Sequence, residues 1–232
     1  MFNCKLKICF IKKIEIIIHK IYILQLKQQK MNFLANFKGC NTSEEYKQLV
    51  DAVKNYGIEN FKNELVNRGY IDGDILTCED KPFNPFTRII TGKMVPLYGN
   101  LLEQVGMNSD NFFIIKNLPE YEMSKRHQFL LIKSLRWSTF NVLTFGLDPD
   151  FDTTKCIKLL DEMEKIAIEY TRKCGWSNNI GLYFHCYPFN SVQSLHMHIL
   201  DLDVIGPTYH KQCYKNLSVQ DVRAALMERI SQ

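Results

Sequence analysis

His196-Met-His198 sets two imidazoles two residues apart in a short apolar run that reaches Leu200. Side chains alternate along a β-strand, so His196 and His198 project from one face while Met197 and Ile199 point into a core. Ser194 shares the histidine face, Ser191 stands at the strand entrance, and His185 ends an earlier apolar run. Three chemistries could use this set. Two imidazoles could bind a metal, with His185 or His210 as a third ligand. No Asp, Glu or Cys stands at a short ligand spacing, so no metal is expected. The pair could act as acid and base. Or one imidazole could attack phosphorus while the other, with Ser191 and Ser194, holds the phosphate oxygens. Spacing alone leaves these open, beside the plain reading of two satisfied core histidines.

The elements that must position these residues follow from pattern. Runs at Phe112–Lys116, 128–133, Ile180–His185 and 195–201 predict strands. Val142 to Phe145 either continues the sheet or enters a loop. Cys156, Leu160, Met163, Ala167, Tyr170 and Cys174 recur at helical spacing, and Gly175 stops the helix. Ser218 caps a last helix that carries Val222, Leu226 and Ile230. Thr42 and Glu45 have the form of a capping box ahead of Leu49, Val53 and Tyr56, and a second short helix is predicted over Ile58–Asn67. Pro82 and Pro85 mark a boundary, after which Phe86, Ile89 and Ile90 share one side of a short helix ended by Gly92. The fold class is α+β, with a mainly antiparallel sheet. Three segments are expected: a basic leader over 1–30, an N-terminal helical extension over 31–80, and the main domain over 81–232.

The formal charge of the 232 residues is +4, but residues 1–30 hold seven lysines against one acid, Glu15. The remainder carries 22 basic and 24 acidic side chains, a net −2. A domain that coats long nucleic acid is therefore not expected. The leader's apolar stretch is broken by Glu15, His19 and Lys20, too polar for a spanning helix or a secretory signal. It is expected to lie outside the fold, as a spurious or disordered extension ahead of a start at Met31, with a weak transit peptide or a basic membrane-surface helix as the alternative. Eight scattered cysteines without a CxxC pair suit buried thiols in a reducing compartment, cytoplasmic or nuclear.

The segment Asn190-Ser-Val-Gln-Ser-Leu-His-Met-His-Ile-Leu200 resembles the histidine-triad (HIT) motif, His-φ-His-φ-His-φ-φ, with Ser194 in the first His position. Gly181-Leu-Tyr-Phe-His-Cys-Tyr-Pro-Phe-Asn-Ser191 resembles the segment before the triad in the Hint-type branch. Asn84-Pro-Phe-Thr-Arg-Ile-Ile-Thr-Gly92 resembles the family's opening helix, and His127-Gln-Phe-Leu-Leu-Ile-Lys133 its His-x-Leu-Val-Val-Pro-Lys strand. The residues from Asp201 to Asn216 resemble the tail that follows the triad in the aprataxin-like branch. The resemblance covers roughly 84 to 216.

The resemblance implies a HIT-like fold: a five-stranded, mainly antiparallel sheet with a long packed helix, here preceded by the helical extension. It implies a hydrolase or transferase that cleaves an AMP-type phosphoramidate or anhydride through a nucleotidyl-histidine, without a cofactor. His196 would be the nucleophile, His198 a contact to phosphate oxygens, Ser191 a donor to the phosphate or leaving group, and Ser194 a hydroxyl partly replacing the first triad His. Phe86 and Ile90 would line the base pocket. Asn117 would take the place of an acidic ribose ligand. His185, Asn190, Lys211 and Lys215 complete the nucleotide-binding set, the two lysines meeting phosphates. The partners implied are an adenylate-type nucleotide or an adenylated or capped nucleic-acid 5′ end. A catalytically decayed nucleotide-binding module is the alternative, because Ser194 departs from the motif. Many members are dimers that extend their sheets across a two-fold axis, so a homodimer is one expectation; N-terminal helices covering that surface are the other.

Overall fold

The computed structural model describes residues 32–79, 82–96 and 98–231, so the basic leader lies outside the described residues. A compact unit begins at Lys38 and takes in both the N-terminal helices and the sheet. The short 3-10 turn Asn32–Leu34 belongs to the preceding unit.

Helix α1 (Ser43–Tyr56) starts where the sequence places it. The Thr42 hydroxyl accepts from the Glu45 N–H at 3.2 Å, while the Glu45 carboxylate accepts from the Asn41 N–H at 2.9 Å. Tyr46, Leu49, Val50 and Val53 form its buried stripe; Tyr56 is only half-buried. Gly57, at φ 95°, ends α1 and caps α2 (Ile58–Asn67), a sharp reversal that a side chain would strain. A two-stranded hairpin, β1 (Ile71–Asp72) with β2 (Ile75–Leu76), follows α2.

The main sheet contains β3 (Phe112–Lys116), β4 (His127–Ile132), β5 (Ile180–His185), β6 (His196–Asp201) and β7 (Asn216–Ser218). Its order is β3-β4-β6-β5-β7, and every pairing is antiparallel. The α+β class and the five-stranded antiparallel sheet agree with the sequence reading. Strand β7 and the short helices α4 (Leu101–Gln104) and α6 (Pro207–Gln212) carry too few residues for periodicity to reveal them. Strand β4 begins at His127, one residue before the predicted start. Val142 to Thr144 forms a 3-10 turn, not a strand.

Register divides the sheet into two faces. Phe113, Ile115, Phe129, Leu131, His196, His198, Tyr183, His185 and Asn216 share one. On the other, Ile114, Leu130, Met197, Ile199, Leu182 and Phe184 are buried. The long helix α5 (Thr153–Lys173) and the C-terminal helix α7 (Val219–Ile230) pack together and against β5. Helix α5 buries Cys156, Leu160, Met163, Ala167 and Tyr170, as its spacing predicts. In α7, Val222 and Leu226 are buried but Ile230, the last residue of the helix, is 51% exposed.

Asp201 pins the end of β6. It is fully buried and accepts from Arg126 at 2.8 Å, from the Ser177 hydroxyl at 2.6 Å, and from the N–H groups of Ser177 and Asp203 at 3.1 Å each. Burial pushes its pKa up, but these donors outweigh that and hold the carboxyl at about 2. No helix among the described residues is long and apolar enough to cross a membrane.

Candidate active site

Four imidazoles gather on one face of the sheet. His196 and His198 come from β6, His127 from β4 and His185 from β5, each at most 7% exposed. The ring of His198 lies 4.0 Å from that of His185 and 5.2 Å from those of His127 and His196, centroid to centroid. Burial pushes His196 down to about 4, with Lys215 adding to it and the hydrogen bond to Ser194 opposing. Burial, helped by His196, takes His127 to about 3. His185 and His198 move in the same direction, chiefly through burial. The cluster is therefore neutral at pH 7, and each ring carries one proton on one nitrogen.

Hydrogen bonds assign those protons. A carbonyl can only accept, so the 2.7 Å contact of His196 Nδ1 with the Ser194 carbonyl puts the proton on Nδ1 and leaves a lone pair on Nε2. His127 Nδ1 lies 3.1 Å from the Met123 backbone nitrogen and 3.0 Å from the Asn117 amide nitrogen. A backbone N–H can only donate, so Nδ1 accepts and His127 carries its proton on Nε2. That proton reaches His198 Nδ1 at 3.0 Å. His198 must then hold its own proton on Nε2, an atom buried without a partner among the described residues. The face presents a lone pair at His196 and a free donor at His198.

Apolar groups frame the nucleophile candidate. Phe86 and Phe129 meet the His196 ring edge-on, at 4.8 and 5.5 Å between centroids. Phe86 packs with Ile89, Ile115 and Leu131, and with Phe113, Phe129 and Val192 around them. Asn84 sets this wall. It caps α3 (Pro85–Ile90) through Phe86 N–H at 3.1 Å and donates to the Gln193 carbonyl at 2.8 Å, tying the helix to the loop before β6. A separate open cleft of about 620 Å³, lined by Lys54, Lys62, Arg136 and Asp148 among others, contains none of the histidines.

The residues singled out in the sequence fall into three groups. His196, His198, His185 and Phe86 come together. Lys215 is half-buried and donates to the Phe189 carbonyl at 3.4 Å; its charge bears on His185, His196 and His198. Lys211 is exposed on α6 and does not join them in that. Ser191 is exposed on the loop, while Asn190 is buried, with its Nδ2 on the Val192 carbonyl at 2.7 Å and its Oδ1 without a partner among the described residues.

Three expectations need correction. Ile89, not Ile90, joins Phe86 in the apolar wall, because the six-residue helix turns Ile90 to a half-exposed position. Asn117 spends its amide inside the protein: Nδ2 faces the Tyr121 carbonyl and His127, and Oδ1 accepts from Leu118 N–H at 2.8 Å. It orients a histidine where a ribose ligand was expected. Ser194 meets His196 through its carbonyl; the hydroxyl is fully buried and has no partner among the described residues.

His127, Phe129 and Asn216 were not picked out as site residues. His127 and Phe129 have the right parity, but only once β4 is known to pair with β6. Among the described residues no group of three or more His, Cys, Asp or Glu side chains is arranged to hold a metal ion.

Residues 96–214, just over half of the chain, match the family model described as "Scavenger mRNA decapping enzyme C-term binding". A search of curated proteins gives no match. Solved structures that match part of the chain include a histidine triad protein from Clostridium difficile, at 13% identity over 50% of this chain and 88% of that one, TM-score 0.37. They also include Hnt3 in complex with DNA and guanosine, at 18% identity over 54% and 64%, TM-score 0.34. The aprataxin ortholog Hnt3 from Schizosaccharomyces pombe matches at 18% identity over 49% and 62%, TM-score 0.30. The chain thus spans less than two thirds of either Hnt3 structure. With the triad strand, its sheet and the family match in place, the chain belongs to the histidine-triad superfamily, in the family of the scavenger mRNA decapping enzyme C-terminal region.

Proposed function

We propose that this protein is a nucleotide hydrolase or transferase that cleaves a nucleoside-phosphate bond through a nucleotidyl-histidine on His196. The observation that carries the reading is the fixed tautomer of His196: Nδ1–H is spent on the Ser194 carbonyl, so Nε2 holds a lone pair at neutral pH. That lone pair attacks the α-phosphorus. The Nε2–P bond forms as the bond to the leaving group breaks, and a departing amine takes a proton from solvent by way of the Ser191 hydroxyl. The nucleotidylated ring is cationic, and the Ser194 carbonyl stabilises it by accepting from Nδ1–H. Water then attacks phosphorus and gives a proton to solvent, the N–P bond breaks with its electron pair returning to Nε2, and a nucleoside monophosphate leaves with His196 restored. His198 Nε2–H donates to a phosphoryl oxygen throughout, and the wall around Phe86 receives the base.

Adenosine phosphoramidate tests this. AMP should form, and an enzyme quenched during turnover should carry an acid-labile, base-stable nucleotide on His196. His196→Ala should lower the rate by at least about a thousandfold, as loss of a nucleophile does. Equal rates would sink His196 as the nucleophile. The family match favours a second reading, in which the leaving group is the remainder of an mRNA cap. Release of 7-methyl-GMP from a cap dinucleotide, at a higher kcat/KM than release of AMP from the phosphoramidate, would select it. Binding without turnover of either would select the decayed module.

A further inference from the structure

Asn216 opens β7 beside the histidine cluster, and it is 6% exposed. It stands opposite His185 in the β5–β7 register. Its Oδ1 accepts from His185 Nε2 at 2.9 Å, which fixes that ring as the Nε2–H tautomer. Its Nδ2 is buried and has no partner among the described residues. Leaving such a donor unpaired costs roughly 1–3 kcal/mol in general, a cost that a ligand oxygen would relieve. His198 Nε2–H is a second donor of the same kind. The His185 ring links the two: it lies 4.0 Å from His198 and is hydrogen-bonded to Asn216. Lys215, the next residue in the chain, brings positive charge to the same histidines. Two buried donors and a cation on one face suit an oxyanion.

We infer that Asn216 is a further binding residue: its Nδ2 donates to a phosphoryl oxygen of the nucleotide beside His198 Nε2–H, while its Oδ1 holds His185 in place. The inference rests on the nucleotide reading above and adds a residue to it. A phosphoryl group fits both donors, whereas a nucleoside lacking phosphate leaves them empty. Asp at this position would keep an oxygen toward His185 and set a second one, with negative charge, where the donor was.

Calorimetry on the full chain tests it with four probes: AMP, GMP, adenosine and guanosine. Asn216→Asp should weaken both monophosphates by at least about tenfold and leave both nucleosides within about twofold. Unchanged monophosphate affinity would overturn the role of Asn216 and leave the nucleotide reading standing. Equal losses for monophosphate and nucleoside would overturn a phosphoryl-specific role. A wild-type protein that binds none of the four would overturn both readings. A measurement without the variant guards against misfolding: in wild-type protein, AMP or GMP should shift the Asn216 side-chain amide in 15N NMR, with His185 protonated at Nε2. An unmoved amide, or a proton on His185 Nδ1, would overturn the inference.

Discussion

His127 Nε2 lies 3.0 Å from His198 Nδ1, and the proton between them belongs to His127 because a backbone N–H occupies its other nitrogen. The residue that would hold phosphate is thus oriented from the neighbouring strand, by a histidine that need not touch substrate.

His127→Leu removes that orientation while keeping bulk. His198 is then free to take the Nδ1–H tautomer, which turns its inward nitrogen from donor to acceptor. The proposed turnover should fall about 10- to 100-fold, the usual loss when such a partner is removed, with KM moving less than kcat. Steady-state rates on adenosine phosphoramidate and 15N NMR of the His198 ring read the two effects together. An unchanged rate beside a changed tautomer would mean that the donor at His198 is idle.

Acid should unfold the protein through these same imidazoles. Their folded pKa values are depressed, to about 4 for His196 and about 3 for His127, below the ordinary 6.5. Below pH 6.5 the unfolded chain therefore binds more protons than the folded one, and stability rises with pH. The contribution is complete above about 6.5 and is lost as pH falls toward the folded values. At pH 5 each of the two should have cost about 1–2 kcal/mol relative to pH 7.5. Asp201 loses its contribution only below about 3.8, so urea midpoints between pH 5 and 7.5 isolate the histidines. A flat profile there would contradict their burial as neutral rings.

Ser194→Ala should be nearly silent. The hydroxyl has no partner among the described residues, and the group that holds His196 is the backbone carbonyl, which alanine keeps. Stability should stay within about 0.5 kcal/mol and the rate within about threefold. A loss of a hundredfold on the phosphoramidate would show that the hydroxyl acts in turnover despite its buried position.

The same contrast shows what the sequence could and could not reveal. His196 and His198 were legible because strand parity acts over two residues, and α5 was legible because its stripe repeats over five turns. His127 and Asn216 were not. Their roles depend on β4 pairing with β6 and on β7 pairing with β5, contacts that join residues 71 and 31 positions apart. The Asn117 expectation failed for a local reason: the turn after β3 aims its amide at His127 and the Tyr121 carbonyl, which residue type alone does not state.

Asp201→Ala should be among the costliest substitutions outside the cluster. It leaves the Ser177 hydroxyl and two backbone N–H groups without their acceptor where β6 ends, beside a half-exposed Arg126. Arg126 is 46% exposed and stays solvated, so the loss comes chiefly from the buried donors left without an acceptor, about 1–3 kcal/mol each. Asp201→Asn keeps one acceptor oxygen and should cost less. Urea unfolding of both variants checks the order, and equal stabilities would show that the carboxylate charge and its four donors contribute little.

Gly39→Ala tests whether the N-terminal segment serves the site. A Cβ on Gly39 would stand 2.3 Å from the Tyr214 carbonyl oxygen, so that backbone would have to move. The contact is part of a clamp: Cys40 N–H donates to the Tyr214 carbonyl at 2.9 Å, and the Asn41 side-chain amide to the Cys213 carbonyl at 3.0 Å. Immediately after Tyr214 come Lys215 and Asn216. Forcing the clamp open should cost about 1–3 kcal/mol of stability, the range for overpacking. It should also weaken AMP and GMP binding severalfold, since the tail that carries both residues loses its hold, while His196 keeps its bond to the Ser194 carbonyl. Thermal unfolding and calorimetry on one preparation measure both. A destabilised variant with full monophosphate affinity would mean that the clamp braces the fold without positioning the tail.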